Sequence, residues 1–256
     1  MTSTSWKTFL SKQLKTNIEQ QGLSSTYTSL ATVRADGTPA NRTVVFRGFA
    51  GEDHHSETGW QSELLTMTSA KRSRKMADIA HQPIVEVNWF MGGTQEQFRI
   101  HGKCYAVQSN TTAQDLKELE GAVTKINNVK NSSDNQNLAT RAFLTRLGDK
   151  NNNNTLDWQA ERLRQWYRMH DKLRGTFPSS TNDSEPLEIH DMDDQGWFVN
   201  HDKEKQRLLE EGYENFALLV IKVECIDHVE LNSGAHSIFK QDENGQWIYK
   251  KLTSSL

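Results

Sequence analysis

The chain has 256 residues and a formal net charge of -3, with 35% hydrophobic and 25% charged residues. Its longest unbroken apolar run, Phe216 to Ile221, is far shorter than the roughly 20 residues that span a bilayer, so we expect neither a membrane span nor a membrane partner. The small net charge gives the protein no overall electrostatic attraction for polyanions, which argues against a nucleic-acid partner. Cys104 and Cys225 have no second Cys two or four residues away and no matched His spacing. This pattern predicts no structural zinc site, no disulfide framework and a reducing, cytoplasmic location.

The elements in chain order begin with an amphipathic helix. Apolar residues recur at helical spacing from Trp6 to Ile18, and we expect this face to pack against the rest of the protein. The segment is also rich in Ser, Thr and Lys and has no acidic residue before Glu19, as in a mitochondrial presequence. Because Arg is absent from it, packing is the preferred interpretation.

Short stretches rich in β-forming residues follow and predict two hairpins. The first turn includes Gly37, which is free to adopt a positive φ, and the second turn is Met91 to Thr94. A short helix that ends before Pro83 separates the hairpins. The predicted elements of this half are strands at Tyr27–Arg34, Asn41–Phe49, Leu64–Ser69, Ile84–Phe90 and Gln95–Val107, and a helix at Ser73–Ala80.

From Thr111 the pattern becomes helical and is interrupted by Asn-rich tracts. We expect residues 108–215 to form a helical and loop insertion, with Asn-rich loops at about 127–137 and 149–155. Because strands return at the C-terminal end, the sequence predicts a single antiparallel barrel domain over 1–256 rather than two independent domains. The predicted elements are helices at Leu138–Leu147, Leu156–Leu173 and Lys203–Glu211, and strands at Phe216–Val223, His228–Leu231, Ser237–Gln241 and Trp247–Leu252.

The densest chemical signal is the basic turn Ser69–Lys75, which has four cations within five residues where a helix is predicted to begin. Positive side chains there oppose the positive end of the helix dipole, and a bound phosphate would reverse that penalty. The hydroxyl group of Ser69 or Ser73 can donate a hydrogen bond to such a phosphate, and Arg74 can bind two of its oxygen atoms at once. The alternative is a solvated basic turn.

Two further stretches are compatible with a ligand but are also typical of ordinary surface strands. Arg42 and Arg47 bracket an apolar strand, although positions five apart face opposite ways on an ideal strand. A later strand carries a polar face opposite an apolar one. That polar face consists of Gln97, Arg99, His101 and Lys103.

Two other patterns fail as metal sites. Asp191 to Gly196 begins like a calcium loop, but Gln195 occupies a ligand position and no helix precedes it, so an acidic turn is preferred. His54 and His55 lack the one-turn spacing of a helical metal pair. We therefore predict no bound metal. No phosphate loop, nucleophile elbow or catalytic triad signature occurs either, so no catalytic residue is assigned.

Together, the strand Pro39–Phe49, the basic turn and Gln97 resemble the pyridoxamine 5'-phosphate oxidase-related family of FMN-binding split β-barrels. The resemblance covers Trp6 to Lys103 well and Phe216 to Leu252 loosely. It implies a mainly β fold with an N-terminal helix and inserted helices, an FMN cofactor and a small-molecule substrate. It also implies a homodimer with FMN at the subunit interface.

The resemblance further implies roles for individual residues. Arg42 would be directed to the phosphate end of FMN, Arg47 would lie nearer the substrate, and Gln97 would bind FMN. The implied cofactor-binding residues are Arg42, Thr43, Val44, Val45, Arg47, Ser69, Ser73, Arg74, Lys75 and Gln97, and the implied substrate-binding residues are Arg47 and His236.

The C-terminal segment departs from the family pattern. Vitamin-processing members carry a Trp followed by an Arg-Leu-His-x-Arg run, whereas Val229 to Ser237 contains no Arg, and only His236 could replace a family ligand. The implied function is a flavin-dependent oxidoreductase similar to pyridoxamine 5'-phosphate oxidase, although the missing arginines argue against that particular substrate. The alternatives are a non-catalytic FMN-binding or flavin-sequestering protein, and a flavin-free barrel that acts as an interaction scaffold.

Overall fold

The structure is a computed structural model that describes residues 5–52, 58–126, 137–147, 155–180 and 185–252. Most of the predicted Asn-rich tracts and the pair His54-His55 lie outside these ranges. The chain divides into two compact units, and the predicted insertion falls within the second. Unit 1 comprises Met1–Arg47, Ala77–Tyr105 and Ile221–Leu256, and unit 2 comprises Gly48–Met76 and Ala106–Val220.

The described helices and strands agree with most of the predicted elements to within a few residues. The α-helices are α1 (Trp6–Gln21), α2 (Arg74–His81), α3 (Leu138–Leu147), α4 (Trp158–Arg168), α5 (Asp171–Arg174) and α6 (Lys203–Glu214). The strands are β1 (Tyr27–Val33), β2 (Pro39–Phe49), β3 (Trp60–Ser62), β4 (Leu64–Ala70), β5 (Ile84–Met91), β6 (Glu96–Val107), β7 (Val123–Lys125), β8 (Asp191–Met192), β9 (Phe198–Val199), β10 (Phe216–Glu230), β11 (Ala235–Gln241) and β12 (Trp247–Leu252). None of the helices in the described ranges has the length and apolar character that a membrane span requires.

The main sheet has the strand order β12-β11-β10-β4-β2-β1-β5-β6. An additional pairing of β10 with β6 closes six of these strands into an antiparallel β-barrel. The pairs β3-β7 and β8-β9 are separate two-stranded sheets, which the sequence patterns did not predict because these strands have only two or three residues. The predicted antiparallel barrel with inserted helices is confirmed.

Both predicted hairpins are present in unit 1. Strand β1 pairs with β2 so that Leu30 lies opposite Arg42, and β5 pairs with β6 so that Asn88 lies opposite Arg99. In the first turn Gly37 has a φ of 81°. Backbone hydrogen bonds between the residues on either side of the turn close the hairpin. Because directly opposed residues on paired strands share a face, these registers decide which side chains meet.

Burial along the strands of unit 1 separates an inner face from an outer face. On β6, Phe98 and Ile100 are buried, whereas Gln97 and Arg99 are half-buried, as the sequence predicts. Trp89 is fully buried on the inner face, where its ring packs 4.9 Å from the ring of Phe46. The inner face therefore forms the core, and the outer face carries the polar groups of the strands.

Helix α1 packs within unit 1 through the predicted face. Trp6 and Leu10 are buried, and Asn17 is buried with them. The side-chain oxygen of Asn17 accepts hydrogen bonds from the backbone N–H groups of Gly93 and Thr94, at 2.7 and 3.2 Å. These bonds join the helix to the β5-β6 turn.

The predictions for the C-terminal half were less accurate. The predicted helix Leu156–Leu173 is two helices, because the backbone is extended at Met169 and His170, and the His170 side chain caps α5. The two strands predicted between Phe216 and Leu231 are the single strand β10. Polar residues on its outer face interrupt the apolar pattern without interrupting the strand.

Candidate functional site

The basic turn lies where β4 ends and α2 begins, within unit 2. Ser69 is buried near the end of β4, and Lys75 lies in the first turn of α2. The Nζ atom of Lys75 donates hydrogen bonds to Ser69 Oγ at 3.1 Å and to Ser73 Oγ at 2.7 Å. We call Ser69, Ser73 and Lys75 the serine–lysine cluster.

The other cations of the turn have different positions. Arg72 donates hydrogen bonds to the carbonyl oxygens of Thr176 and Phe177, both at 2.6 Å, and so ties the turn to the inserted segment of unit 2. Lys71 and Arg74 are exposed. Arg72 therefore has a structural role. Arg74 is accessible from solvent and lies in the same helical turn as Lys75.

The chemistry of this donor set suits a phosphate monoester. Lys75 contributes a positive charge, and each serine hydroxyl can rotate to donate its hydrogen to an anion. Charge-assisted hydrogen bonds of this kind are roughly twice as strong as neutral ones. The start of α2 adds the positive end of the helix dipole. The serine–lysine cluster and Arg74 therefore fit a phosphate group.

Arg42 lies on the inner face of β2 in unit 1 and is held by three neighbours. Its Nη1 atom donates to the Leu30 carbonyl oxygen at 3.1 Å and to Thr32 Oγ1 at 2.7 Å, and its Nη2 atom donates to Asp78 Oδ2 at 3.1 Å. Thr32 Oγ1 also donates to Asp78 Oδ2, at 2.6 Å. Three of the guanidinium's five donors are thereby engaged, and its Nε–H has no partner among the described residues.

Sequence reasoning missed Thr32 and Asp78. Asp78 lies within the predicted helix Ser73–Ala80, but its pairing with an arginine on a strand depends on tertiary packing. No local pattern indicates Thr32. Its contact with Arg42 depends on the pairing of β1 with β2.

The predicted residues of β2 divide between its two faces. Val44 is buried on the inner face with Arg42, whereas Thr43, Val45 and Arg47 lie on the outer face. Thr43 is exposed, and Val45 and Arg47 are half-buried. Arg42 and Arg47 therefore face opposite ways, as the alternation of an extended strand requires.

Gln97 lies on the outer face of β6, where its Nε2 atom donates to Asn88 Oδ1 at 2.7 Å. Its cross-strand partner Phe90 is 51% exposed, and Tyr27, the partner of Val45, is 55% exposed. Large exposed aromatic side chains on one sheet face are typical of a contact surface. We call Tyr27, Val45 and Phe90 the outer aromatic patch.

His236 lies on β11 and shares a carboxylate with Arg99. His236 Nε2 is 2.7 Å from Asp227 Oδ1, and Arg99 Nη2 is 2.7 Å from Asp227 Oδ2. Sequence reasoning missed Asp227 because its partners are distant in sequence. The structure thus brings His236 together with Arg99, which had been identified only as part of a polar face.

The candidate calcium loop has a structural role. Asp193 Oδ1 accepts hydrogen bonds from the backbone N–H groups of Gln195 and Trp197, at 2.9 and 2.7 Å. Asp202 caps α6, and the backbone N–H groups of Lys205 and Glu204 lower the pKa of its carboxyl group. Within the described ranges, no set of three or more His, Cys, Asp or Glu side chains is arranged to hold a metal ion.

Comparisons with known proteins find similarity in the N-terminal part of the chain. Residues 3–108 match the family model described as "Pyridoxamine 5'-phosphate oxidase, FMN-binding domain". The chain is 36% identical over 118 residues to pyridoxine/pyridoxamine 5'-phosphate oxidase 2 of Arabidopsis thaliana. This alignment covers 46% of the chain and 54% of the plant protein, so the chain spans about half the length of that curated relative.

A solved structure with a TM-score above 0.5 shows a similar fold. A pyridoxamine 5'-phosphate oxidase-related, FMN-binding protein from Nostoc punctiforme has a TM-score of 0.60 and 22% identity, with 99% of each chain covered. PhzG from Burkholderia lata, solved in complex with tetrahydrophenazine-1-carboxylic acid, has a TM-score of 0.48 and 13% identity, covering 99% of this chain and 95% of PhzG. Residues 3–108 are thus similar to the FMN-binding domain of pyridoxamine 5'-phosphate oxidases.

Proposed function

We propose that the protein is an FMN-dependent oxidoreductase in which the serine–lysine cluster binds the phosphate of FMN. The observation that carries the proposal is the convergence of Lys75 Nζ on the hydroxyl oxygens of Ser69 and Ser73 at the start of a helix. Arg74 would add two further donors to the phosphate. When bound, FMN supplies the capacity to accept a hydride from a small substrate.

The remaining cofactor-binding residues are proposed from the family resemblance. Arg42 would be directed to the phosphate end of FMN, and Gln97 would hydrogen bond to the flavin. Thr43, Val44 and Val45 would line the flavin, and Arg47 would lie nearer the substrate. The polar contacts of Arg42 and Gln97 within unit 1 support these roles, because they hold both side chains in one orientation.

We also propose that the protein is a homodimer with FMN at the subunit interface. The outer aromatic patch supports this proposal, since two aromatic side chains more than half exposed on a sheet face would be covered by a second copy. We propose a reducing, cytoplasmic location from the state of the two cysteines. Cys104 and Cys225 are both free, and Cys104 is buried.

A non-catalytic FMN-binding protein is the second candidate. The observation that favours it is the absence of Arg between Val229 and Ser237, because a substrate phosphate needs a cationic clamp there. Peroxide formation by the FMN-loaded protein, with pyridoxamine phosphate and with small amines and alcohols as donors, separates the two candidates. Turnover of any of these donors supports the oxidoreductase, and turnover of none supports the carrier.

The phosphate assignment is tested with Lys75→Met. Quenching of flavin fluorescence measures the Kd of FMN and of riboflavin, which lacks the phosphate. We expect the Kd of FMN to rise about 10-fold, as for the loss of one charge-assisted hydrogen bond, and the Kd of riboflavin to stay unchanged. Lys71→Met is the matched control, because Lys71 is an exposed lysine of the same turn. The assignment would be contradicted if Lys75→Met raised the Kd of FMN and of riboflavin equally. It would also be contradicted if Lys71→Met raised the Kd of FMN as much as Lys75→Met does.

A further inference from the structure

The hairpin of β11 and β12 extends the main sheet beyond the closed barrel. It continues the sheet from β10, and β12 is the last strand at that end. Within the described ranges, β12 pairs with β11 alone, so its other edge has no strand beside it. The backbone N–H and C=O groups along such an edge can pair with an added strand.

The hairpin is anchored through its inner face. Phe239 of β11 is only 6% exposed, and its ring lies 4.9 Å from the ring of its cross-strand partner Tyr249. The ring of Trp247, at the start of β12, packs edge-on against the ring of Trp6 on α1, with the centroids 5.6 Å apart. These contacts hold β12 extended before a partner binds, which lowers the entropic cost of adding a strand.

An open groove of about 890 Å³ runs along the outer face of the hairpin. Its apolar lining consists of Ile238, Ile248 and Leu252, and Ile248 is 55% exposed. Lys240 and Lys250 stand on the same face, because each is the direct cross-strand partner of one of these isoleucines. The groove therefore offers both apolar surface and positive charge to a chain that lies along β12.

The positive charge of β12 is not balanced within the hairpin. Lys250 and Lys251 are exposed and form no ion pair or side-chain hydrogen bond within the described ranges, and β12 contains no acidic residue. The acids of the groove, Asp242 and Glu243, belong to the turn that joins the strands. Asp242 accepts hydrogen bonds from two backbone N–H groups of that turn. The strand edge itself thus carries two lysines without a carboxylate.

These lysines decide which strand fits the edge. Two copies of β12 side by side would bring four ammonium groups together with no carboxylate among them, so like charges oppose a second copy. A strand with two adjacent acidic residues would instead place one opposite each lysine. In an antiparallel strand, an apolar residue just before the acidic pair would lie opposite Leu252, and an apolar residue two places after the pair would lie opposite Ile248.

We propose that β12 is a docking edge for an extended acidic segment of a partner protein, which joins the sheet as an antiparallel strand. The segment carries two adjacent acidic residues flanked by β-branched apolar residues at the places derived above. Its backbone supplies the hydrogen bonds of strand pairing, and its carboxylates supply selectivity. This is a further function of the hairpin that requires neither FMN nor the serine–lysine cluster.

The first experiment compares two labelled peptides by fluorescence anisotropy with the full chain at pH 7 and low salt. One is acetyl-Thr-Val-Glu-Glu-Tyr-Val-Thr-amide, and the other has Lys in place of both Glu residues. We expect the acidic peptide to bind at least about 10-fold more tightly, because two attractive pairs replace two repulsive ones. The double variant Lys250→Glu with Lys251→Glu should reverse this preference. The matched control, Lys12→Glu with Lys15→Glu on exposed positions of α1, should keep it.

Hydrogen–deuterium exchange separates strand addition from a loose attraction between charges. With the acidic peptide at ten times its Kd, we expect exchange of the edge amides of Trp247–Leu252 to slow by about 10-fold, and exchange in α1 to stay unchanged.

Four outcomes would overturn the proposal. They are an acidic peptide that does not bind, a lysine peptide that binds equally well, binding that leaves exchange in β12 unchanged, and protection of β12 in the peptide-free chain that disappears on dilution. The last result would mean that a second copy occupies the edge. Because the peptides are compared on the wild-type chain, the test holds even if the double variant fails to fold.

Discussion

Arg42 and Asp78 form an ion pair on the inner side of the barrel, with Arg42 Nη2 3.1 Å from Asp78 Oδ2. The side chains are only 22% and 9% exposed, so the pair is shielded from water. Thr32 joins it through a hydrogen bond to the same carboxylate oxygen. Through this pair, an acidic residue of α2 fixes the orientation of an arginine that the family resemblance assigns to the cofactor.

Removal of Asp78 should destabilise the fold. Asp78→Ala leaves a mostly buried guanidinium without its carboxylate, and we expect the free energy of unfolding to fall by about 2 kcal/mol, a figure reduced for the residual exposure of Arg42. Urea unfolding measures this change. The double variant Arg42→Met with Asp78→Ala should lose less than the sum of the two single variants. Additive losses would show that the two residues do not interact.

Gly102 should not tolerate a side chain. A Cβ atom at this position would lie 2.2 Å from the backbone oxygen of Lys222, where β6 passes close to β10. Because backbone cannot move aside cheaply, Gly102→Ala should destabilise the protein by about 2–3 kcal/mol in thermal or urea unfolding.

Gly37→Ala is the comparison for that variant. Gly37 has open space around it but a φ of 81°, so alanine there meets only backbone strain, which costs about 1 kcal/mol. We expect the loss at Gly102 to exceed the loss at Gly37. Equal losses of stability in the two variants would show that the close approach of β6 and β10 adds nothing to the cost of a side chain at Gly102.

Burial of Cys104 should make stability depend on pH in alkaline solution. Burial raises the pKa of the Cys104 thiol from 9.0 to about 12. The unfolded chain therefore loses this proton at a lower pH than the folded chain. The buried thiol contributes fully to stability below pH 9.0, and this contribution is lost as the pH rises towards 12. The limiting slope for one group is about 1.4 kcal/mol per pH unit.

The measurement compares the wild-type chain with Cys104→Ala in urea unfolding at pH 8 and pH 10, values on either side of the ordinary thiol pKa. The difference in unfolding free energy between the two proteins should shrink at the higher pH. Burial also raises the pKa of the half-buried Cys225 thiol, so Cys225→Ala, which retains Cys104, should keep the larger part of the wild-type trend. A constant difference between the wild-type chain and Cys104→Ala would contradict the predicted dependence.

The sequence by itself determined most of the elements and the basic turn. Strand alternation and turn residues are local properties, so β1, β2, β5 and β6 were predicted to within a few residues, and Gly37 marked its turn. The phosphate-binding role proposed for Ser69, Ser73 and Lys75 also came from a local pattern, because these residues lie within seven positions of one another. In the structure, hydrogen bonds from Lys75 bring the three side chains together.

Only the tertiary structure decided which distant residues meet. Asp78 reaches Arg42, and Asp227 reaches both Arg99 and His236, through strand pairings and helix packing that no short window of sequence contains. The local sequence sets the propensity for helix or strand and the spacing of side chains along each element. The register between strands that are remote in sequence sets the contacts from which a site is built.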